Sequence, residues 1–268
     1  MGRFYCSYSE GDEHVLCHTS YRVIALRPML AEVLGGFGWC RADRPDRKVK
    51  VVWCSQGYYG GKMNDNDPPT LEFFFDCSSP WTYLAFSQIE TVAKRSHAQL
   101  VWKPILVGGV FNTVNSAVYE QRANPDPRKA AYYRDDLQLW AKAYGLRIGS
   151  PPVFPVRSVE AMRGAFFALD QDRLPAYARA VFESYWSDLK DISQKVVLEE
   201  ICERVGLDFD AYWHAVKSDD LKARLKETTD ELIDRGGFGS PTIFVNKDRM
   251  FFGNDRLPLV EAVLRRQI

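Results

Sequence analysis

The stretch Phe73–Phe86, FFFDCSSPWTYLAF, decides how this chain is read. An aromatic run stops at a short polar knot, Cys77-Ser78-Ser79-Pro80, and an apolar helical pattern starts at once. The short, aromatic-rich LEFFFD (71–76) predicts a buried strand. Ser79 is placed to cap a helix over 80–96, with Pro80 at its first position, where a missing N–H does no harm.

Outward from that turn, AQLVWKPIL (98–106) alternates as a second strand. A long helical block follows, interrupted by the Pro-rich hinge IGSPPVFPV (148–156). Helical patterns cover roughly 127–144, 158–170, 174–187, 194–205 and 218–235. PTIFVN (241–246) and RMFFG (249–253) read as a hairpin around Lys247-Asp248, and an amphipathic helix over about 256–265 closes the chain. This order predicts an α/β protein: a thioredoxin-like fold with a large all-helical insertion between its βαβ and ββα halves, the parallel connection being right-handed. The expected boundaries are 70–106 and 236–268 for the thioredoxin-like domain and 107–235 for the inserted helical domain. Order of elements gives a fold class and leaves function open.

The 268 residues are 46% hydrophobic and 13% aromatic, enough for a substantial core. Lys plus Arg equals Asp plus Glu at 35 each, a balance that argues against nucleic acid or an anionic membrane as partner. No apolar run approaches the ~18–20 residues that span a bilayer. The start, MGRFYCSYSEGDEH, carries acids where a secretory signal has its apolar core, so a cytoplasmic location is expected. Four of the six cysteines precede residue 63 and none forms Cys-x-x-Cys. His14, Cys17 and His18 have no common zinc spacing, so free thiols and no metal are expected. Local signals agree from Leu71 onward but not before Met63, where RVIALRPMLAEVLGG (22–36) is the one helical candidate. Gly60-Gly61-Lys62 can be encoded as a purine-rich ribosome-binding signal just ahead of Met63. Residues 1–69 are therefore expected to be an extension, disordered or a mis-assigned start, with the true start near Met63.

Three sets of residues carry candidate chemistry. Ser79 caps a helix, and beyond capping it stands where the free N–H groups of the first turn stabilise an anion. A thiolate brought there has its pKa lowered and can accept a hydrogen bond from the serine. GGFGSPTIFV (236–245) places Pro241 at the first residue of a strand, the position a proline can hold. A cis bond there would present the Ser240 backbone to an extended peptide, whereas the plain alternative is a turn. Asn254-Asp255-Arg256 precede the last helix: Asp255 either caps it or pairs with an α-ammonium, and Arg256 is either a solvated charge or a carboxylate partner.

FFFDCSSPWTYLA, KPILVGGVFNTVN, RGGFGSPTIFVN and FFGNDRLPLVEAVL resemble, in order and separation, the 2-hydroxychromene-2-carboxylate isomerases. That family is close to the kappa-class glutathione transferases in the DsbA-like branch of the thioredoxin superfamily. The likeness runs from about residue 70 to 268. It implies an isomerase that uses glutathione, and no metal, on a small aromatic carboxylate by reversible thiol addition, rotation and elimination; it also implies a homodimer. It implies Ser79 as the catalytic serine that holds the glutathione sulfur, and Ser240 and Pro241 as partners of the glutathione backbone. Asn254, Asp255 and Arg256 would meet the γ-glutamyl end. GGVFNTVN matches a loop lining the site, where Asn112 or Asn115 contacts ligand. Trp81, Tyr83 and Phe111 are candidates for an aromatic wall, though core packing explains each as well. Lys103 or Arg256 would supply the cation facing the substrate. NSAVYEQRANPDPRK (115–129) departs from the shorter NKPP-like segment of the kappa enzymes.

The alternatives are a kappa-class-like transferase or peroxidase acting on an electrophile through the same thiolate, and a non-catalytic thioredoxin-fold protein. A disulfide oxidoreductase is disfavoured, because Ser79 and Thr82 occupy the two positions that need sulfur.

Overall fold

The computed structural model describes residues 38–41, 48–51 and 68–268. Strands β1 (Gly38–Arg41) and β2 (Lys48–Val51) pair antiparallel, with Gly38 opposite Val51. They lie in a unit, Met1–Gly57, separate from the one described below, Tyr58–Ile268. The helix expected over 22–36, and Met63, lie outside the described residues.

The larger unit is built on a four-stranded sheet ordered β4-β3-β5-β6. β3 (Thr70–Phe75) runs parallel to β4 (Gln99–Pro104) and antiparallel to β5 (Thr242–Val245), which pairs antiparallel with β6 (Arg249–Phe252). The uninterrupted phenylalanines of β3 are explained by helices covering both faces of this central strand. Phe73 and Phe75 stack 5.7 Å apart and meet Trp102 edge-on beneath helix α1 (Pro80–Arg95). Phe74 points the other way, into a second cluster with Ile105, Val110, Leu232 and Phe244.

The connection from β4 to β5 holds α2 (Val107–Val114), α3 (Ala117–Ala123), α4 (Pro127–Ala143), α5 (Val159–Asp170), α6 (Leu174–Phe182), α7 (Lys195–Val205), α8 (Phe209–Ala215) and α9 (Asp219–Asp234). A single helix over 174–187 was expected; α6 instead passes into a π-helical turn, Glu183–Ser187. The GGVFNTVN stretch (108–115), expected as a loop, falls in helix α2 up to Val114, and the helix buries its apolar Val107 and Val110. Helices α3 and α8 were not anticipated. After β6, a short 3-10 turn, Asn254–Arg256, leads into α10 (Leu257–Leu264), which packs beside α1.

Candidate active site

Most backbone groups of the turn between β3 and α1 are tied down. The Cys77 N–H donates to the Met162 sulfur at 3.4 Å, and the Cys77 carbonyl accepts from the Trp186 indole at 2.9 Å. Ser78 N–H donates to Asp76 Oδ1 (2.9 Å), and Ser79 N–H to the Asp76 carbonyl (3.2 Å). Met162 lies on α5 and Trp186 in the π-helical turn, so the helical segment braces this turn from outside the sheet. Leaving such buried groups unpaired would be costly, so these contacts restrain the turn.

Asp76, fully buried, is the hub. Its Oδ2 accepts from the Val107 N–H at 2.8 Å and from the Ser158 hydroxyl at 3.1 Å, joining the turn to the start of α2 and to the residue ahead of α5. Burial raises the Asp76 pKa, against the lowering effect of the Ser78, Val107 and Ser158 hydrogen bonds. The neighbouring Cys77 thiol is pushed well up, by burial and then by the Asp76 charge. A buried thiol of that kind is a packing group and no nucleophile.

Ser79 caps α1: its Oγ accepts from the Thr82 N–H at 3.3 Å. The same hydroxyl donates to the Ser240 carbonyl at 3.2 Å, across 161 residues of sequence. The Ser240–Pro241 bond is cis. The Ser240 hydroxyl is held in turn by the Asp76 N–H (3.1 Å) and by Thr82 Oγ1 (2.8 Å). Thr82, which stands where an oxidoreductase would need its second sulfur, thus anchors the loop ahead of β5. No sulfur is in either position.

This arrangement floors a cavity of ≈ 1090 Å³. Ligand sites are commonly roughly 300–1,000 Å³, so this one has room for a peptide and a small second molecule. Of the residues singled out in the sequence, Ser79, Trp81, Phe111, Asn112, Asn115 and Ser240 line it. Both asparagines are present: Asn112 Oδ1 accepts from the Tyr119 hydroxyl at 2.7 Å, and the Asn115 amide donates to the Phe238 carbonyl at 3.0 Å.

The others lie elsewhere. Tyr83 is two residues past Trp81 on α1 and so faces away from it. It is buried and stacks on Phe182 at 5.1 Å, a core residue and not a pocket wall. Lys103, expected to face the substrate, does not line the cavity. Strand alternation puts it on the Phe74 face of the sheet, where it pairs with Glu231 at 2.9 Å and sits 4.0 Å from Glu72. Asn254, Asp255 and Arg256 form the turn ahead of α10, which packs against α1 but stays outside the cavity lining. Asp255 and Arg256 pair with each other at 3.1 Å, both about half exposed, while the amide nitrogen of Asn254 is buried without a partner.

Sequence reasoning missed Asp76, Ser158 and the cavity cation Arg122. Only Asp76 carried a signal: a carboxylate closing an aromatic strand must find buried donors.

A family model described as the DSBA-like thioredoxin domain matches residues 70–265. The chain belongs to the DSBA-like thioredoxin family. Within this family of enzymes it is 29% identical over 201 residues to a 2-hydroxychromene-2-carboxylate isomerase of Sphingobium xenophagum, covering 73% of this chain and 97% of that one. It is 25% identical over 212 residues to the human glutathione S-transferase kappa 1, covering 74% and 91%. A solved structure of a selenomethionine-labelled 2-hydroxychromene-2-carboxylate isomerase superimposes with a TM-score of 0.63 at 27% identity, covering 74% of this chain and 95% of its own. The family model's match, residues 70–265, spans every residue that lines the cavity.

Proposed function

We propose that the protein is a glutathione-dependent isomerase of the 2-hydroxychromene-2-carboxylate type. The observation that carries this reading is the Ser79 hydroxyl. It caps α1 where a redox enzyme carries sulfur, and it donates 3.2 Å away to the carbonyl that precedes a cis proline.

The residues present fit glutathione. The Ser240 carbonyl can accept from a peptide N–H laid along the loop. That exchange releases the Ser79 hydroxyl, which then donates to a sulfur placed at the helix start. Its capping bond from Thr82 N–H fixes the direction in which the hydroxyl points. The α1 N-terminus adds positive potential and holds a thiol there in its ionised form. Asp255 and Arg256 are half exposed on the turn against α1 and outside the cavity lining, so they offer paired charges to a γ-glutamyl end that extends beyond the cavity. When bound, glutathione supplies a thiolate that adds to a conjugated carbon as the π electron pair moves to the carbonyl oxygen, and that leaves unchanged when the pair returns after rotation. Trp81, Phe111 and Asn112 bound the volume in which that rotation takes place.

The protein acts in the cytoplasm, as a homodimer, on a small aromatic carboxylate. The 25% identity with a kappa transferase favours one second reading, in which the same thiolate is passed to an electrophile or a peroxide. Calorimetry with glutathione, followed by turnover of 2-hydroxychromene-2-carboxylate with and without it, tests the proposal. Uptake at millimolar ligand and glutathione-dependent isomerisation are expected. No uptake removes the glutathione reading, and uptake without isomerisation favours the transferase.

A further inference from the structure

Much of the cavity wall comes from residues 115–130, which include the stretch that departs from the kappa-like segment. The charged side chains among the described lining residues are Arg122, Lys129, Arg157 and Asp126, three cations against one carboxylate. Such a lining favours an anion. The three cations are not equivalent. Arg157 is engaged by the buried Glu160 carboxylate at 2.6 Å. Lys129 stands in the first turn of α4 beside Asp126, whose carboxylate caps that helix through the Arg128 and Lys129 N–H groups. Neither Lys129 nor Arg122 has a carboxylate at ion-pair distance among the described residues, and of the two only Arg122 is fixed by ring contacts.

Arg122 is held by aromatic rings. Its guanidinium lies 5.3 Å from the ring centroid of Phe111 on α2 and 5.3 Å from that of Phe154, ahead of the cis Phe154–Pro155 bond. Both are within the ~6 Å range of a cation–π contact. Phe111 is itself set by Tyr119, edge-on at 6.3 Å, and Phe154 by Trp186 at 6.1 Å. A guanidinium fixed by its faces keeps its N–H edge for a ligand, and that edge matches a carboxylate in a bidentate pair. The two rings that hold it are also surfaces on which a flat, unsaturated body can lie.

We infer that Arg122 is the carboxylate anchor of the second ligand, and that with Phe111 and Phe154 it selects planar aromatic acids. This inference rests on the isomerase reading for its ligand class and names the residue that sets it. Glutathione also carries carboxylates; Arg122 is assigned to the aromatic acid, and the glutathione arm of the test separates the two.

The test uses the full chain and the variants Arg122→Ala and Arg122→Lys, titrated by calorimetry with 1-hydroxy-2-naphthoate, its uncharged carboxamide, and glutathione. Loss of a charge-assisted bidentate pair should weaken naphthoate binding about 10- to 100-fold in Arg122→Ala, with partial recovery in Arg122→Lys and glutathione affinity within about twofold. Carboxamide binding should be the same in all three proteins. Naphthoate affinity that is undetectable in the unsubstituted chain, or unchanged by Arg122→Ala, overturns the inference. A parallel loss of glutathione affinity also overturns it and moves Arg122 to the tripeptide. Failure of the unsubstituted chain to bind glutathione would sink the glutathione reading alone, since the naphthoate arm still decides the role of Arg122.

Discussion

The floor of the cavity and the wall around Arg122 are made differently. At the floor, Ser79, Thr82, Asp76 and Ser240 form a hydrogen-bonded network that reaches both halves of the sheet and is largely buried. At the wall, Tyr119, Arg122 and Phe154 are exposed and meet through ring contacts and a single Tyr119–Asn112 hydrogen bond. Groups that must be placed to a fraction of an ångström sit where every partner is fixed. Groups that choose the ligand sit where substitution is cheap in stability.

The hardest blow to this contrast should come from Ser79→Ala. Losing a donor aimed at a developing or resident anion costs about 10²–10³ in kcat, while the lost helix cap costs only ~1 kcal/mol. Steady-state kinetics beside thermal unfolding will show whether the two effects separate so widely. Unchanged turnover would make Ser79 a cap and nothing more.

Asp76→Ala comes next. It strips the acceptor from three groups, the Ser78 and Val107 N–H and the Ser158 hydroxyl, and should lower stability by about 2–4 kcal/mol in urea unfolding. The pH dependence has a definite sign. Because burial raises the folded pKa, the Asp76 contribution is complete below the ordinary carboxyl value near ~4 and is lost as pH rises through the higher folded value. Asp76→Asn lacks that limb, so the stability of the unsubstituted chain relative to this variant should improve as the solution is acidified. A pH-independent difference would show that Asp76 does not titrate in this way.

Thr82→Val removes the 2.8 Å contact to the Ser240 hydroxyl and should cost about 1–2 kcal/mol, read as a lower melting temperature. The smallest effect is expected from Tyr119→Phe at the wall. Its hydroxyl bond to Asn112 is exposed, so stability should stay within about 0.5 kcal/mol while KM for the aromatic acid shifts a few-fold. A large stability loss there would erase the distinction between floor and wall.

The floor was also the more legible part of the sequence. The aromatic strand, Ser79 as cap and Pro80 at the first helical position are local signals that the structure has, and Pro241 falls one residue ahead of its strand rather than at the strand's first residue. What could not be read locally depends on distant partners. Asp76 meets Val107 and Ser158 at separations of 31 and 82 residues. Lys103 finds Glu231 at a separation of 128, and only the strand's alternation hinted that it turned away from the site. Two adjacent glycines weaken the helical signal of α2. Packing overrides it: α2 lies against α9, with Gly109 beside Thr229. Arg122 looks like any surface charge until two rings, 11 residues before it and 32 after it (122 − 111 and 154 − 122), close around it.

The grip of Met162 and Trp186 on Cys77 has a consequence for anyone who would re-engineer specificity by exchanging helical segments between relatives. The segment that shapes the pocket also carries two of the fasteners of the reactive turn. A graft that changes the walls but omits a thioether and an indole at these places would loosen Ser79 as well, and altered selectivity would arrive together with lost rate.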